Sequence, residues 1–580
     1  MREKQTKRTL AGLLILSLVS TTSCIDNDYD LNKDIDMTIN VGGEHLAIPV
    51  GNTEKITMDK IIEINEGDDL QLVEGEYHLL KDGTVDDATT EVKNVTVEGR
   101  DNEIDKITAA NEQTVPDAEG NIETDIDQVG DINANANDID EAVKEIGSLE
   151  AVGQTDLFLK LTLDGELNYE SITTNLKVTF PDFLQFAADN NLNGNILTLN
   201  LSNNDLKKGV PYIYPLKLTG YKFGSKTGEG RRIEEGKLEI NDKVTIKGVA
   251  NVKINGTITA GTSLDIIPVV TLADMKIKSI TGVIQPAIDE TGSTVELESL
   301  PDFLQDDATE LDITNPIFTF IATNPLEAPV TLNGTMLGKK DGNVIEGSTV
   351  ILGENSVDGQ EITLDKGKNV IALSRLGTGG PEGSKNIKVS DINNLIKKIP
   401  DVVSVTLQPA VEYDEYYTVD LGKTYSMNSS YDIDIPLNFG SGLQIVYKDS
   451  IDDISGDLED IDFKKAVIAV TADNIIPLKL EIKENNVTPK DINGNKIDDI
   501  KVTVEGTITE SKDGNTIATS QLTIVLEETK DGAIGKMDGL VFKVTAVPGQ
   551  ATNVQLRSDQ WMQLKDMKLK IPNGIKVDLN

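Results

Sequence analysis

The chain has 580 residues, of which 97 are acidic and 54 basic, giving a formal net charge of −43 at pH 7. A surface this acidic repels nucleic acid and anionic membranes, so it argues against nucleic-acid and phosphate-binding roles. Since 38% of the residues are hydrophobic, the chain can build packed cores, and its length predicts about three to five domains.

The first 23 residues predict a secretory signal peptide. Four basic residues precede the apolar run 10–19, and a short polar stretch leads to Cys24, the only cysteine. An apolar helix of that length spans about 15 Å, roughly half of a bilayer's hydrocarbon core, so we expect cleavage rather than a retained span. A single cysteine has no disulfide partner within the chain, and lipidation of Cys24 gives it a role. The alternative is an ordinary signal peptide with an accidental cysteine at its end.

The residues around Cys24 also resemble a known class of protein. Thr-Thr-Ser-Cys at 21–24 resembles a relaxed lipobox that lacks the usual leucine. The acidic stretch Ile-Asp-Asn-Asp-Tyr-Asp at 25–30 resembles the export signal of Bacteroidota lipoproteins. The tract 28–50 is similar to the start of large, uncharacterised, surface-exposed outer-membrane lipoproteins of that phylum. The resemblance implies a lipid-anchored outer-membrane protein that faces outward, with residues 24–44 as an acidic tether.

Beyond the tether, the sequence predicts a mostly β fold of tandem antiparallel, immunoglobulin-like β-sandwiches with a few short helices. Apolar and polar residues alternate in the firmest strand segments, which are 252–254, 330–332, 501–504 and 567–571. Lys-Asp-Gly triplets predict tight turns at 81–83, 340–342, 512–514 and 530–532. Capping residues predict two short helices, at 138–146 and 390–399.

Motifs that recur at domain-scale separations predict duplicated modules. Phe-Pro-Asp-Phe-Leu at 180–184 returns as Leu-Pro-Asp-Phe-Leu at 300–304, and Pro-Leu-Lys-Leu at 215–218 returns at 477–480. The stretch 324–334 resembles the core of the immunoglobulin-like domain of water-stress and hypersensitive-response (LEA-like) proteins, which implies a fold rather than a function. The predicted units are an N-terminal α+β region and three sandwiches, at 45–150, 151–270, 271–420 and 421–580.

The residue types available argue against catalysis. The chain has two histidines, His45 and His78, which are too few for histidine-rich zinc sites and make catalytic triads hard to assemble. A carboxylate pair would suffice for a glycosidase, but aromatic residues make up only 4% of the chain, with one tryptophan. We therefore expect a protein that is not an enzyme and that uses no cofactor.

Two kinds of segment are candidates for binding a ligand. Residues 491–499 place oxygen-bearing side chains at alternate positions, as calcium loops do, but an Asn-Gly turn is favoured because the expected glycine and terminal acid are missing. The acidic cluster at 449–462 is interpreted first as a solvated loop, with calcium as the alternative. Tyr413, Tyr416 and Tyr417 stand among acidic residues and form a candidate sugar-stacking patch. A strand with some of these tyrosines packed inward is the favoured interpretation.

Two functions follow as expectations. The first is a surface-exposed outer-membrane lipoprotein that acts as a non-catalytic binding or adhesion module for a glycan or a host or extracellular protein. The alternative is a structural surface subunit, pilin-like or layer-forming, that assembles through edge strands. A removable or donated strand at 567–579 would favour the alternative.

Overall fold

The structure, a computed structural model, describes residues 39–577 except 42–45, 63, 66, 298–299, 301–303, 305, 453–460 and 573. Cys24, the predicted signal peptide and most of the tether lie outside the described residues. The described part is dominated by β-strands paired in antiparallel sheets, which confirms the predicted mostly β fold. Its helical segments are α1 (Met58–Ile61) and three 3-10 helices, Ile392–Leu395, Glu484–Asn486 and Ile534–Lys536.

The strands fall into four runs along the chain. The first run is β1 (Ile39–Val41), β2 (Leu46–Gly51), β3 (Ile56–Thr57), β4 (Leu70–Val73), β5 (Glu76–Thr90), β6 (Thr96–Val97), β7 (Asp101–Glu103), β8 (Ile107–Asn111) and β9 (Asn121–Ala136). The second run is β10 (Val143–Asp164), β11 (Tyr169–Thr179), β12 (Leu184–Phe186), β13 (Leu192–Asn193), β14 (Ile196–Leu201), β15 (Tyr212–Lys222), β16 (Arg231–Arg232), β17 (Leu238–Ile254), β18 (Ser263–Leu272), β19 (Met275–Ile284) and β20 (Thr291–Glu296). The third run is β21 (Ile317–Asn324), β22 (Val330–Lys340), β23 (Asn343–Val344), β24 (Val350–Leu352), β25 (Ile362–Leu364), β26 (Gly367–Ser374), β27 (Lys385–Lys388), β28 (Val402–Ala410), β29 (Tyr417–Asp420) and β30 (Tyr425–Pro436). The fourth run is β31 (Ile445–Ile451), β32 (Ile461–Asp462), β33 (Lys465–Asn474), β34 (Lys479–Glu481), β35 (Val487–Lys490), β36 (Ile500–Gly506), β37 (Ala518–Glu528), β38 (Gly539–Val547), β39 (Trp561–Ile571) and β40 (Ile575–Val577).

The first sandwich packs a five-stranded sheet, β13-β14-β11-β17-β9, against a ten-stranded sheet with the central path β12-β15-β10-β18-β7. Alternate residues of β10, Leu157, Leu159, Leu161 and Leu163, are fully buried. They share one apolar core with the inward residues of β11 and β17. The period-two pattern of these strands thus places one face in the core and leaves the other exposed.

Two further sandwiches follow. In the second, the sheet β27-β26-β21-β30-β5-β4 packs with the sheet built on β20-β28-β22-β23. The third contains the sheet β2-β39-β33-β37-β36 and the smaller sheet β31-β38-β34, with β35 also paired to β38. A separate apolar cluster lies between the strands of this last sandwich.

A buried asparagine fixes the connection that follows β21 in the second sandwich. The Asn324 side-chain nitrogen donates to the carbonyl oxygens of Ala328, at 2.9 Å, and Leu364, at 3.0 Å. Its side-chain oxygen accepts the backbone N–H of Leu326 at 2.9 Å. Because Asn324 is only 1% exposed, these bonds replace the water that the three backbone groups would otherwise bind.

Asn474, at the end of β33, repeats this arrangement in the third sandwich. Its side-chain nitrogen donates to the carbonyls of Leu478, at 3.1 Å, and Thr509, at 3.0 Å, and its oxygen accepts the N–H of Ile476 at 2.8 Å. Asn474 is likewise 1% exposed. The similar spacing of partners after Asn324 and Asn474 indicates that the two connections are built in the same way.

Strand pairing does not follow the unit boundaries predicted from the sequence. The boundary at residue 150 lies inside β10. Within the predicted N-terminal unit, β5 pairs with β30 in the second sandwich, and β2 pairs with β39 in the third. The N-terminal region therefore supplies strands to sheets completed hundreds of residues later, which a local residue pattern does not reveal.

Both predicted helices need correction. Residues 138–146 form a turn that enters β10 at Val143, and Asp138 has a φ of 56°, whereas a helix N-cap requires extended backbone. Pairing of this segment with β16 and β19 replaces the helix. Residues 390–399 contain only the 3-10 helix Ile392–Leu395.

Three of the four predicted Lys-Asp-Gly turns are confirmed. The triplet at 340–342 joins β22 to β23 with positive φ at its last two residues, and the glycines of 512–514 and 530–532 have φ of 71° and 75°. The prediction for 81–83 is wrong because this triplet lies inside β5 and pairs with β30. Its glycine faces the ring of Tyr431, where an added Cβ would lie 2.4 Å from the phenol oxygen.

Candidate functional site

An open cleft of about 560 Å³ lies at one end of the first sandwich. Its walls come from the last residues of β11 and β15, from the start of β16, from β17, and from the loops 180–183 and 223–230. The volume falls within the range of small-ligand sites, roughly 300–1,000 Å³. The cleft therefore combines elements of both sheets in a space large enough for a small ligand.

The repeated Phe-Pro-Asp-Phe motif forms the floor of the cleft. It carries the chain from β11 in one sheet to β12 in the other, and Phe180 and Phe183 are both buried. The Phe183 ring centroid lies 5.4 Å from that of Phe223, and the Lys222 N–H donates to the Phe183 carbonyl at 2.8 Å. Packing of these rings holds the crossover in one position and leaves Asp182 exposed at the rim.

Asn195 fixes the position of the Asp182 carboxylate. The Asn195 side-chain nitrogen donates to an Asp182 carboxylate oxygen at 2.6 Å and to the Phe180 carbonyl at 2.5 Å. The Phe180 N–H in turn donates to the Asn195 carbonyl at 2.9 Å. One exposed carboxylate of the cleft is thus held by the turn between β13 and β14.

Charged side chains surround the aromatic floor. Lys222, Glu229 and Arg231 are exposed at the rim, and Asp242 is half-buried on β17. The Arg231 guanidinium lies 5.6 Å from the centroid of the Phe223 ring, within the range of a cation–π interaction. The aromatic ring therefore helps to hold this cation at the edge of the cleft.

The loop that carries Glu229 and Arg231 is tied to β10 by Glu145. The N–H groups of Gly228 and Gly230 each donate to a Glu145 carboxylate oxygen at 2.9 Å, and the Tyr416 hydroxyl donates to the same oxygen. Glu145 is 6% exposed. Burial raises the pKa of this carboxyl, but the three hydrogen bonds and a nearby arginine outweigh that effect, so its pKa lies below the ordinary value.

Tyr416 packs against Gly147 of β10 and Gly230 of this loop. A Cβ on Gly147 would lie 2.2 Å from a Tyr416 ring carbon, and one on Gly230 would lie 2.3 Å from its hydroxyl oxygen. Burial and the bond to Glu145 raise the Tyr416 pKa. Its hydroxyl is therefore used inside the protein, and Tyr416 supports the cleft wall from behind.

The other two tyrosines of the predicted patch lie elsewhere. Tyr417 is buried on β29, and its hydroxyl donates to the Ile284 carbonyl at 2.6 Å. Tyr413 is half-buried, with its ring centroid 6.1 Å from that of Tyr417. The structure places Tyr413 beside Tyr417 and turns Tyr416 toward Glu145, so the three rings do not form one open platform.

The predicted Asn-Gly turn at 491–495 is confirmed. One Asp491 carboxylate oxygen accepts the N–H groups of Asn493, at 2.9 Å, and Asn495, at 2.8 Å, and Gly494 has a φ of 76°. Most of the acidic cluster at 449–462 lies outside the described residues. Within the part of the chain that the structure describes, no three acidic, histidine or cysteine side chains are grouped so as to hold a metal ion.

Comparisons with known proteins give remote likenesses of architecture. No protein-family model and no curated protein matches the chain. A Parabacteroides distasonis protein described as secreted is similar at 13% identity and a TM-score of 0.36, over 51% of this chain and 82% of that one. A structure of infectious bursal disease virus, Gx strain, has 11% identity and a TM-score of 0.14 over 84% and 82% of the two chains. At these scores the likenesses bear on neither ligand nor location. Among the described helices, none has the length and apolar character needed to cross a bilayer.

The loop bound by Glu145 is expected to loosen in acid. Because the folded pKa of this carboxyl lies below the unfolded value, its ionised form stabilises the fold above about pH 4.5, and this contribution is lost as pH falls through the folded pKa. We expect the Gly228 and Gly230 amides to be protected from hydrogen exchange at pH 7 and to lose protection as the pH falls through the lowered pKa of Glu145. Glu145→Gln should remove this pH dependence, and protection that changes with acid in the same way in both proteins would contradict it.

Proposed function

We propose that the protein is an outer-membrane lipoprotein, anchored through Cys24 and displayed at the cell surface, that binds an extracellular ligand without transforming it. The ligand is a glycan or a host or extracellular protein, and its site is the cleft of the first sandwich. The observation that carries the proposal is the cleft itself, an aromatic floor surrounded by five charged side chains at the meeting of two sheets. The N-terminal motif around Cys24 supports the location.

The cleft is preorganised for binding. Asn195 holds Asp182, the Phe223 ring holds Arg231, and Glu145 holds the intervening loop. Groups that are already fixed lose little conformational entropy when a ligand arrives, so more of the interaction energy contributes to affinity. The arrangement therefore favours recognition by polar contacts within the cleft over adhesion by a flat apolar surface.

Blocking the cleft tests the proposal. In a Cys24→Ser background the chain has no other cysteine, so Glu229→Cys allows a bulky maleimide to be attached at the rim. We expect the labelled variant to lose binding to a panel of polysaccharides and extracellular matrix proteins, while Lys368→Cys, labelled on an exposed position of β26, binds normally.

A separate experiment tests the location. The unsubstituted chain should fractionate with membranes and be accessible to protease on intact cells, and Cys24→Ser should release the protein from the membrane fraction.

Two results would count against this function. Binding that survives the label at Glu229 would place the ligand outside the cleft. No binding to any member of the panel, by an unlabelled protein with a cooperative unfolding transition, would remove the basis for a binding module.

A further inference from the structure

Two cations of the cleft lack an ion-pair partner among the described residues. Among the described residues, Lys222 and Arg231 form no ion pair and no side-chain hydrogen bond, although Arg231 is held against the Phe223 ring. A guanidinium presents several N–H donors in one plane, and this geometry matches the two oxygens of a carboxylate or sulfate group. The cations therefore offer unused donors for an anionic group of a ligand.

The carboxylates of the cleft keep unused acceptor capacity. Asp182 accepts one bond from Asn195, at 2.6 Å, and Asp242 accepts the N–H of Lys243 at 2.8 Å. Glu229 accepts the Ser225 N–H at 3.1 Å and pairs with a lysine of its own loop. An ionised carboxylate accepts about four hydrogen bonds, so each of these groups still accepts bonds from hydroxyl donors.

We infer that the ligand of the cleft is an acidic saccharide, an inference that rests on the proposed binding function. Its carboxylate or sulfate group pairs with Arg231 and Lys222, and its ring hydroxyls donate to the carboxylates of Asp182 and Asp242. A small inorganic anion such as phosphate offers too few hydroxyl groups to donate to all of these carboxylates. A neutral saccharide offers the two cations only uncharged hydroxyl oxygens, whose hydrogen bonds are weaker than those of an anionic group. A saccharide that carries both acid and hydroxyl groups satisfies both kinds of side chain.

Calorimetric titration of the full chain with paired probes tests the inference. The probes are oligosaccharides of galacturonate, glucuronate and mannuronate, and a sulfated oligosaccharide, each with its neutral esterified or desulfated counterpart, together with inorganic phosphate. We expect at least one acidic probe to bind at least tenfold more tightly than its neutral counterpart. Arg231→Ala should remove that preference, Arg231→Lys should retain part of it, and Lys368→Ala should leave it unchanged.

The outcomes separate this inference from the proposed function. Equal binding of acidic and neutral probes, blocked by a label at Glu229, would overturn the acidic ligand and leave the binding function standing. Phosphate that binds as tightly as the best saccharide would define a simple anion site and overturn the inference. If no saccharide binds while matrix proteins still bind at the cleft, the saccharide inference is rejected and the proposed binding function stands.

Discussion

Asn474→Ala is expected to lower the free energy of unfolding of the third sandwich by about 2–4 kcal/mol. The substitution leaves the buried carbonyl of Leu478 and the buried N–H of Ile476 without their side-chain partner, and removes a part-buried bond to the Thr509 carbonyl. A buried polar group that loses its hydrogen bond costs about 1–3 kcal/mol, and partial relaxation keeps the total below the sum of three such costs. Denaturant unfolding, followed by hydrogen exchange of β33 amides, measures the loss.

Asn324→Ala provides the matched test in the second sandwich. Since its three bonds have the same pattern, we expect a loss of similar size, reported by the amides of β21. Asn428→Ala is the control, because Asn428 is exposed on β30 and donates to Asp87 at 2.7 Å in a solvated pair, so its effect should stay within about 0.5 kcal/mol. A large loss at Asn474 beside a negligible one at Asn324 would show that the two modules do not share the same construction.

The sequence predicts strands well where one face of the strand is apolar and buried and the other is polar and exposed. Residues 330–332 and 501–504 alternate cleanly and lie in β22 and β36. The prediction fails at 138–146, where good capping residues are overridden by pairing with β16 and β19, which lie about 85 and 135 residues further along the chain. The triplet at 81–83 fails for the same reason, since its partner strand is β30.

The cleft is only partly foreseeable from the sequence. The motif at 180–184 stands out by its recurrence, but its role as a cleft floor depends on Phe223 and on β17, which pattern analysis does not connect with it. Tyr416 is also singled out, but as a ligand group, whereas its hydroxyl binds Glu145 in the structure. Glu145 itself lies in the segment predicted as a helix. The sequence therefore does not predict that its carboxylate binds the loop that contains Gly228 and Gly230.

Removal of residues 561–580 is expected to unfold the third sandwich. β39 lies between β2 and β33 and pairs with both, so it is an interior strand of its sheet. Deleting it removes its pairings with β2, β3 and β33, together with the buried side chains of Met562, Leu564 and Met567 in the core. We expect the amides of β33 and β37 to lose hydrogen-exchange protection, while those of β10 and β11 in the first sandwich retain it.

Single substitutions in β39 separate the loss of packing from the loss of the strand. Leu564→Ala should lower the free energy of unfolding by about 2–5 kcal/mol because the side chain is buried, whereas Lys568→Ala, on the exposed face, should lower it by less than about 0.5 kcal/mol.

Assembly through a donated C-terminal strand requires that β39 leave its own sheet while the rest of the sandwich stays folded. A truncated chain that keeps β33 protected, and that takes up an added peptide spanning 561–577, would meet this requirement and favour a structural surface subunit. Loss of protection without uptake would mean that β39 is needed by its own sandwich, so that assembly through this sheet would have to use its edge strands, β2 or β36.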